Sequence, residues 1–174
     1  MPKNLEIELS SAVLRPWKKG DEKSLVTHAN NRKVSINLRD GFPYPYSAKD
    51  AQEWIKSASK IRPLTMFAIV VNDQAAGGIG IHLRNDVEQR SSEIGYWLGE
   101  AYWGQGIATE ALKAVSEYAF KNFDLCRLYA PVFAWNPASA RVLEKAGYKL
   151  EGRLKKSITK DGKTIDSFLY ALVR

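Results

Sequence analysis

The sequence predicts a mixed αβ fold in a single domain over residues 1–174, with one layer of sheet and helices packed on it. Short apolar runs typical of strands alternate with longer segments in which apolar residues recur at helical spacing. A chain of 174 residues also suits one domain, which can bury roughly 70% of the surface that its unfolded form exposes. No internal repeat or low-complexity linker interrupts this pattern.

The N-terminal part of the chain predicts a strand over Ile7–Leu14 and a helix over about Asp21–Asn31. Segment 41–46 then breaks regular structure, because it reads Gly-Phe-Pro-Tyr-Pro-Tyr. Aromatic residues between prolines suit the wall of a binding site, and they suit a rigid loop packed on the core equally well. After this loop, Ser47 is a good N-cap for a helix that runs to about Ile61.

Three strands are predicted in the middle of the chain. They cover Met66–Val71, Ala76–Leu83 and Ser92–Leu98. Asn72 and Asp73 supply a hairpin turn between the first two of them.

A strand, helix, strand unit is predicted next, because apolar residues recur at helical spacing over Thr109–Phe123 and an apolar strand pattern follows over Leu128–Phe133. Asn136 and Pro137 then open another helix, since Asn is a strong N-cap and Pro suits the first helical position. Gly147 ends that helix, because glycine tolerates the left-handed conformation after the last turn.

The chain is predicted to end in a β-hairpin. Its strands cover about Arg153–Thr159 and Thr164–Val173. The intervening Lys-Asp-Gly-Lys, residues 160–163, is a clear turn signal.

Composition narrows the function classes. The single cysteine, Cys126, excludes an internal disulfide framework and a cysteine-based metal cluster, and it fits a reducing compartment. No histidines or carboxylates stand at ligand spacing, so no metal is expected. The sequence has neither an apolar run near membrane-spanning length nor a signal pattern, and we expect a cytoplasmic protein without a membrane partner. The net charge of +7 is scattered along the chain, so it carries little weight, and no DNA partner is expected.

Two glycines, Gly104 and Gly106, stand just before the long helix, in the stretch YWGQGIATEA. A helix N-terminus leaves its first N–H groups unpaired and carries about half a positive charge, so it suits an anion such as a pyrophosphate. The donors would be the amides from about Gln105 to Thr109, and glycine would let the anion approach. A simple turn would also explain the glycines.

Two other nucleotide-binding loops fit these residues less well. A Walker loop requires Lys followed by Ser or Thr after its last glycine, and Ile107 and Ala108 follow Gly106 here. A dinucleotide-binding fold requires a third glycine, and Thr109 stands in its place. The usual kinase or ATPase is therefore excluded, and an oxidoreductase is disfavoured.

The motifs and their order resemble the GNAT acetyltransferases, and most closely their RimJ/RimL branch, which acetylates N-terminal amines of proteins. Nearly the whole chain fits. The stretches that carry the resemblance are Leu14–Trp17, Phe42–Tyr46, Glu93–Leu98, Gly104–Ala108, Asn136–Ser139, Gly147-Tyr148 and Asp161-Gly162. The resemblance implies a mostly antiparallel, twisted sheet of about six or seven strands with helices on both faces. It also implies a parallel pair of strands that splay apart, the first of which carries Glu93.

The resemblance further implies a site for acetyl-coenzyme A. Its pyrophosphate would bind the amides of four residues, Gln105, Gly106, Ala108 and Thr109. Its pantetheine arm would add to the edge of the strand that ends at Trp97 and Leu98, because an amide chain can pair with a strand edge as peptides do. Asn136 would hold the amides of that arm.

The resemblance makes Glu93 the candidate base, acting directly or through water, although an exposed strand residue paired with a lysine would look the same in the sequence. A backbone N–H near Trp97 or Leu98 would hold the oxyanion. The tyrosine that often serves the family as acid is replaced by Leu143, so Ser139 is the candidate donor to the leaving sulfur. A helix cap and its first turn would explain Asn136 and Ser139 equally simply.

The expected reaction is direct acetyl transfer to a primary amine, most readily the N-terminal α-amine of a ribosomal or other protein. Near pH 7.5 an α-amine with a pKa of about 8 costs under ~1 kcal/mol to deprotonate, whereas a lysine amine near 10.4 costs ~4 kcal/mol. Two alternatives stay open, namely a small-molecule amine acetyltransferase and a non-catalytic module that binds coenzyme A or RNA. Phe42, Tyr44 and Tyr46 would set the choice of acceptor, and a monomer or a homodimer is compatible with the sequence.

Overall fold

The computed structural model describes residues 5–174, so residues 1–4 of the predicted domain lie outside it. Eight strands and five α-helices lie along these residues. The elements, in chain order, are β1 (Ile7–Glu8), β2 (Val13–Pro16), α1 (Glu22–Ala29), α2 (Arg32–Ser35), α3 (Ala48–Ala58), β3 (Met66–Val71), β4 (Gln74–His82), β5 (Ser91–Leu98), α4 (Ile107–Asn122), β6 (Arg127–Phe133), α5 (Pro137–Lys145), β7 (Lys149–Lys160) and β8 (Lys163–Val173).

These elements belong to two compact units. The first unit runs to Gly80 and resumes over Tyr96–Ala111, and the second comprises Ile81–Gly95 and Leu112–Arg174. The strands of the first unit follow the order β1-β2-β3-β4, and those of the second follow β6-β8-β7. The residues of β5 up to Gly95 belong to the second unit, and those from Tyr96 belong to the first. The registered pairs are antiparallel except for β5 with β6, which run parallel. The predicted fold class, a mixed αβ fold with a mostly antiparallel sheet and one parallel pair, is confirmed.

The predicted count of about six or seven strands is too low by one or two, because the expected strand over Ile7–Leu14 is two strands. A tight turn separates them, in which the Leu9 N–H donates to the Ala12 carbonyl over 2.9 Å. Two adjacent serines occupy this turn, and neither favours an extended strand.

The first unit packs its helices on β3 and β4 around an apolar core. In α3 the buried residues Ala51, Ile55 and Ala58 lie four and three positions apart, so they share one face of the helix. Ser47 caps α3 as predicted and forms a capping box with Asp50. The helix α3 ends at Ala58 rather than near Ile61, where its end was predicted.

Glycines in β4 let β5 lie close to it. A Cβ on Gly77 would lie 2.5 Å from the Trp97 carbonyl oxygen, and one on Gly78 would lie 2.9 Å from Trp97 Nε1. The ring of Trp17 stands 3.2 Å from the same Gly78 position, so no side chain fits at either glycine. The predicted hairpin before β4 is present, with Asn72 and Asp73 both at positive φ.

The second unit builds its core from α4, α5 and the strands β6 and β8. Leu112, Val115 and Leu143 are fully buried within it. A buried hydroxyl pair joins α4 to the residue before β7, since Ser116 Oγ and Tyr148 Oη lie 2.7 Å apart. Burial raises the pKa of Tyr148 to about 12.

The local signals predicted for α5 and for the last hairpin are confirmed. Asn136 caps α5, and Gly147 adopts a φ of +94° after its last turn. Strand β7 begins at Lys149, four residues before the predicted start, and Asp161 and Gly162 form the turn at positive φ. No helix within residues 5–174 is both long enough and apolar enough to pass through a lipid bilayer.

Candidate functional site

The loop before α4 contains two glycines in the left-handed region of backbone space. Gly104 has a φ of +75° and Gly106 a φ of +83°. A Cβ at either position would meet no atom within 4 Å. Glycine is therefore needed here for the backbone conformation, and the space over both residues is open.

The loop and the first turn of α4 present a row of unpaired backbone donors. The four predicted donors are the N–H groups of Gln105, Gly106, Ala108 and Thr109. In the described part of the chain none of the four donates to an acceptor. The geometry of a helix start accounts for this, because its first N–H groups have no carbonyl one turn back. The loop can therefore accept an anion without breaking an existing hydrogen bond.

Side-chain contacts hold the segment between β5 and this loop. Trp103 Nε1 donates to the Leu98 carbonyl over 2.7 Å, and Gln105 Nε2 donates to the Ala101 carbonyl over 3.1 Å. Glu100 accepts from Asn31 Nδ2 over 2.8 Å and pairs with Lys33. These hydrogen bonds, first that from Lys33, lower the pKa of Glu100. The carbonyl of Leu98, a residue predicted to bind the pantetheine arm, therefore already accepts a hydrogen bond from the Trp103 indole.

The predicted aromatic wall divides into a packed part and an exposed part. The Phe42 ring lies 5.0 Å from that of Tyr46 and 5.3 Å from that of Trp97, between ring centroids. Tyr46 is buried, and this burial, with Asp50 as the second cause, raises its pKa to about 12. Tyr46 therefore fits the alternative of a loop packed on the core.

Tyr44 is the exposed member of the predicted wall, with 49% of its surface accessible. The guanidinium of Arg32 lies 5.5 Å from its ring centroid, at the distance of a cation–π contact. Of the three predicted wall residues, Tyr44 is thus the one that presents an aromatic ring to an incoming molecule.

Glu93, the candidate base, is a buried residue of β5, with 8% of its surface exposed. It pairs in parallel register with Tyr129 of β6. Its Oε2 lies 3.5 Å from Arg84 Nη2, and the same nitrogen donates to the Tyr129 hydroxyl over 3.1 Å. The alternative of an exposed strand residue paired with a lysine is therefore wrong, because Glu93 is buried and its cation is an arginine.

Tyr129 stands between two arginines. Arg84 bonds its hydroxyl, and this contact, more than the charge of Glu93, raises the pKa of Arg84. Arg127 lies with its guanidinium 5.6 Å from the Tyr129 ring centroid. Both terminal nitrogens of Arg127 bond the carboxylate of Glu151, which lowers the pKa of that carboxyl.

The parallel pairing of β5 with β6 is short. It covers three registered pairs, from Ser91 with Arg127 to Glu93 with Tyr129. Beyond Tyr129, β6 is registered only with β8 among the residues that the structure describes. Pro131 lies in this part of β6, and a proline is tolerated in a strand where one side needs no N–H donor. Pro131, inside the strand predicted over Leu128–Phe133, is a sequence signal that could have indicated this end of the pairing.

The residues that follow β6 supply the cap of α5 and one unpaired donor. Asn136 Oδ1 accepts from the Ser139 N–H over 3.2 Å, so the simple capping interpretation of Asn136 is confirmed. Ser139 lies partly buried in the first turn of α5. Trp135 Nε1 is buried and has no hydrogen-bond partner in the described part of the chain. The sequence alone did not identify Trp135 as a site residue. Its Nε1 stands out in the structure because a buried indole N–H usually has an acceptor.

No group of three or more His, Cys, Asp and Glu side chains within residues 5–174 is placed to hold a metal ion.

Comparison with known proteins gives one matching family and several relatives. A family described as the acetyltransferase (GNAT) domain matches residues 12–149. N-acetyltransferase p20 of Bacillus licheniformis is 31% identical over 129 residues, which cover 73% of this chain and 72% of p20. The ribosomal-protein-serine acetyltransferase of Escherichia coli K12 is 34% identical over 108 residues, which cover 62% of this chain and 60% of the relative.

Solved structures show the same fold. RimJ of Mycobacterium smegmatis, in complex with a coenzyme A disulfide, superposes with a TM-score of 0.82 at 25% identity, over 98% of this chain and 86% of RimJ. RimL, a ribosomal protein α-N-acetyltransferase in complex with coenzyme A, superposes with a TM-score of 0.84 at 22% identity, over 97% of this chain and 98% of RimL.

Proposed function

This chain belongs to the GNAT acetyltransferase family, and we propose that it transfers an acetyl group from acetyl-coenzyme A to the N-terminal α-amine of a protein. The observation that carries the proposal is the row of N–H groups around two positive-φ glycines at the start of α4, which have no acceptor among residues 5–174. Two relatives are named as ribosomal-protein acetyltransferases, and these names favour a protein acceptor.

The residues around α4 fit the pyrophosphate of acetyl-coenzyme A. In the proposal it accepts hydrogen bonds from four backbone N–H groups, those of Gln105, Gly106, Ala108 and Thr109. Their lack of other acceptors among the described residues and the open space over Gly106 support this assignment. The positive end of the α4 dipole adds to the attraction for the anion.

Trp97, Leu98, Asn136 and Trp135 are the residues that we assign to the amide arm. Because the cap of α5 occupies Asn136 Oδ1, its Nδ2 is the group left to bind a carbonyl of the arm. A buried donor without a partner costs about 1–3 kcal/mol, and a carbonyl acceptor on Trp135 Nε1 would remove that cost. The backbone edge at Trp97 and Leu98 would pair with the arm as a strand does.

Acetyl-coenzyme A supplies an activated acetyl group when it is bound. Glu93 takes the proton of the acceptor amine, directly or through one water, so that the neutral nitrogen attacks without an acyl-enzyme. Arg84 and the register with Tyr129 orient the Glu93 carboxylate. A backbone N–H near Trp97 or Leu98 stabilises the charge that develops on the carbonyl oxygen.

Ser139 completes the proposed set. Its hydroxyl lies in the first turn of α5, at the positive end of the helix dipole. This end of the dipole stabilises a negative charge that develops nearby. A hydrogen bond from this hydroxyl to the leaving sulfur would lower the barrier to its departure.

The test is thiol release from acetyl-coenzyme A with a panel of peptide N-termini, polyamines and aminoglycosides. We expect turnover with peptides, and Glu93→Gln should abolish most of it. Glu117→Gln is the matched control, because Glu117 is an exposed carboxylate of the second unit that pairs with Arg174 at the chain's end. Turnover confined to small amines would contradict the proposed acceptor class, and unchanged turnover in Glu93→Gln would contradict the base.

A further inference from the structure

The cluster around Glu93 contains one cation whose hydrogen-bonding capacity is largely unused. The Arg84 side chain is 43% exposed, whereas that of Glu93 is 10% exposed. Both contacts of the Arg84 guanidinium use Nη2. Its Nε and Nη1 donate to no group in residues 5–174. A guanidinium has five N–H donors in a planar fork, so the donors on Nε and Nη1 remain available to a further acceptor.

The second arginine of the cluster differs in this respect. Arg127 forms a bidentate ion pair with Glu151, which neutralises its charge. Arg84 has Glu93 at 3.5 Å, the limit of a hydrogen bond, and Glu88 acts on it only through charge. Arg84 is therefore the cation of this cluster that can still receive a carboxylate.

The position of Arg84 matters because of the proposed role of Glu93. An amine that gives its proton to Glu93, directly or through one water, must approach its carboxylate, and Oε2 of that carboxylate lies beside the Arg84 guanidinium. A second cation on the acceptor would be repelled there, and a carboxylate would be attracted and could bind the open fork in a bidentate manner.

On this basis, and resting on the proposed function, we propose that Arg84 selects acceptors in which a carboxylate lies close to the reacting amine. The carboxylate has two chemical sources. It is either an acidic side chain near the N-terminus of a protein or the α-carboxylate of a free amino acid. In both cases Arg84 binds the carboxylate while Glu93 faces the amine.

A different role for Arg84 would be to hold Glu93 in place and nothing more. The two roles predict different kinetics. Loss of a positioning contact lowers kcat for every acceptor by the same factor, whereas loss of a selecting contact changes kcat/KM according to the charge of the acceptor.

The experiment compares wild type and Arg84→Gln on three peptides that differ only at the second residue, which is Asp, Asn or Lys. We expect wild type to prefer Asp over Asn and Asn over Lys, each by about fivefold to tenfold in kcat/KM. In Arg84→Gln these ratios should fall to within about twofold, whatever happens to the absolute rates. The wild-type ratios should also shrink as salt is raised. Arg90→Gln is the control, because Arg90 is an exposed arginine of the same unit that pairs with Asp124.

A second arm compares serine with serinamide, with each rate expressed per neutral amine because the α-carboxylate also raises the pKa of the amine. A charge preference among the peptides supports the inference with a protein acceptor, and a preference for serine over serinamide supports it with an amino acid. Wild-type turnover without any charge preference overturns the inference but leaves the proposed function standing. If Arg84→Gln lowers kcat/KM by the same factor for every acceptor, so that the ratios between acceptors are preserved, the inference is also overturned. Arg84 then only positions Glu93. Absence of turnover with every acceptor overturns the proposed function itself.

Discussion

Gly106→Val is the substitution that isolates the anion-binding role of the loop before α4. Gly106 has a φ of +83°, and a Cβ there would meet no atom within 4 Å outside its chain neighbours. The substitution therefore introduces backbone strain but no clash with the rest of the protein. It also places two methyl groups over the N–H groups that we assign to the pyrophosphate.

The structure provides a control for the strain. Gly104 has a φ of +75° and the same open surroundings, so Gly104→Val carries a similar conformational penalty. An L-residue in the left-handed region costs roughly 1–2 kcal/mol, which lowers the Tm of a protein of this size by about 2–8 °C. Both variants should show this loss. Only Gly106 contributes its own N–H to the proposed donor row, so only Gly106→Val should lose more than about 100-fold in affinity for acetyl-coenzyme A.

Calorimetric titration with acetyl-coenzyme A, together with thermal unfolding, measures both quantities. A ligand at about 100 times its Kd stabilises a protein by about 2.7 kcal/mol, so wild type and Gly104→Val should gain about 5–11 °C in Tm. Gly106→Val should gain almost nothing. Normal affinity in Gly106→Val, or an equal loss in both variants, would refute the assignment of the pyrophosphate to this loop.

Four further outcomes are expected. Glu93→Gln should lower kcat/KM by about 100-fold below pH 8 and much less at high pH, where the amine is already neutral, and a defect independent of pH would remove Glu93 from the role of base. Ser139→Ala should lower kcat with little change in the calorimetric affinity for acetyl-coenzyme A, whereas an equal loss of affinity would make the hydroxyl structural. Trp135→Phe should weaken acetyl-coenzyme A by about 2–10-fold without weakening adenosine 3′,5′-bisphosphate, which lacks the arm, and equal effects on both ligands would contradict the indole contact. The pKa of Tyr148 is raised to about 12 in the folded protein, so Tyr148 stabilises the fold below pH 10, near its unfolded pKa, and this stabilisation is lost between about pH 10 and 12. Tyr148→Phe should therefore flatten the dependence of the free energy of unfolding on pH over this range, measured by urea unfolding.

The elements that the sequence predicted well are those fixed by local chemistry. Ser47 and Asn136 both act as helix caps, since a short polar side chain satisfies the first N–H groups wherever the rest of the chain lies. Asn72 and Gly162 stand in tight turns for a similar reason, because their positive φ is allowed to few residues. Such signals act over three or four residues, so a single sequence contains all of their causes.

The features that the sequence could not predict depend on residues far apart in the chain. Glu93 meets Arg84 and Tyr129, which lie 9 and 36 residues away, and no periodicity encodes this contact. Tyr46 is core rather than wall because Phe42 and the helix α3 pack on it. The unpaired Trp135 Nε1 is likewise a property of the whole second unit, since burial of one nitrogen depends on every group packed around it.

The position of the acetyl group on a peptide with two different amines shows which amine the protein acetylates. A peptide that carries both a free α-amine and an internal lysine is incubated with the protein and acetyl-coenzyme A, and fragmentation mass spectrometry locates the acetyl group. We expect acetyl on the α-amine, and we expect this product to disappear with Glu93→Gln. Acetyl on the lysine alone, or an equal yield of α-acetylated peptide from wild type and Glu93→Gln, would contradict it.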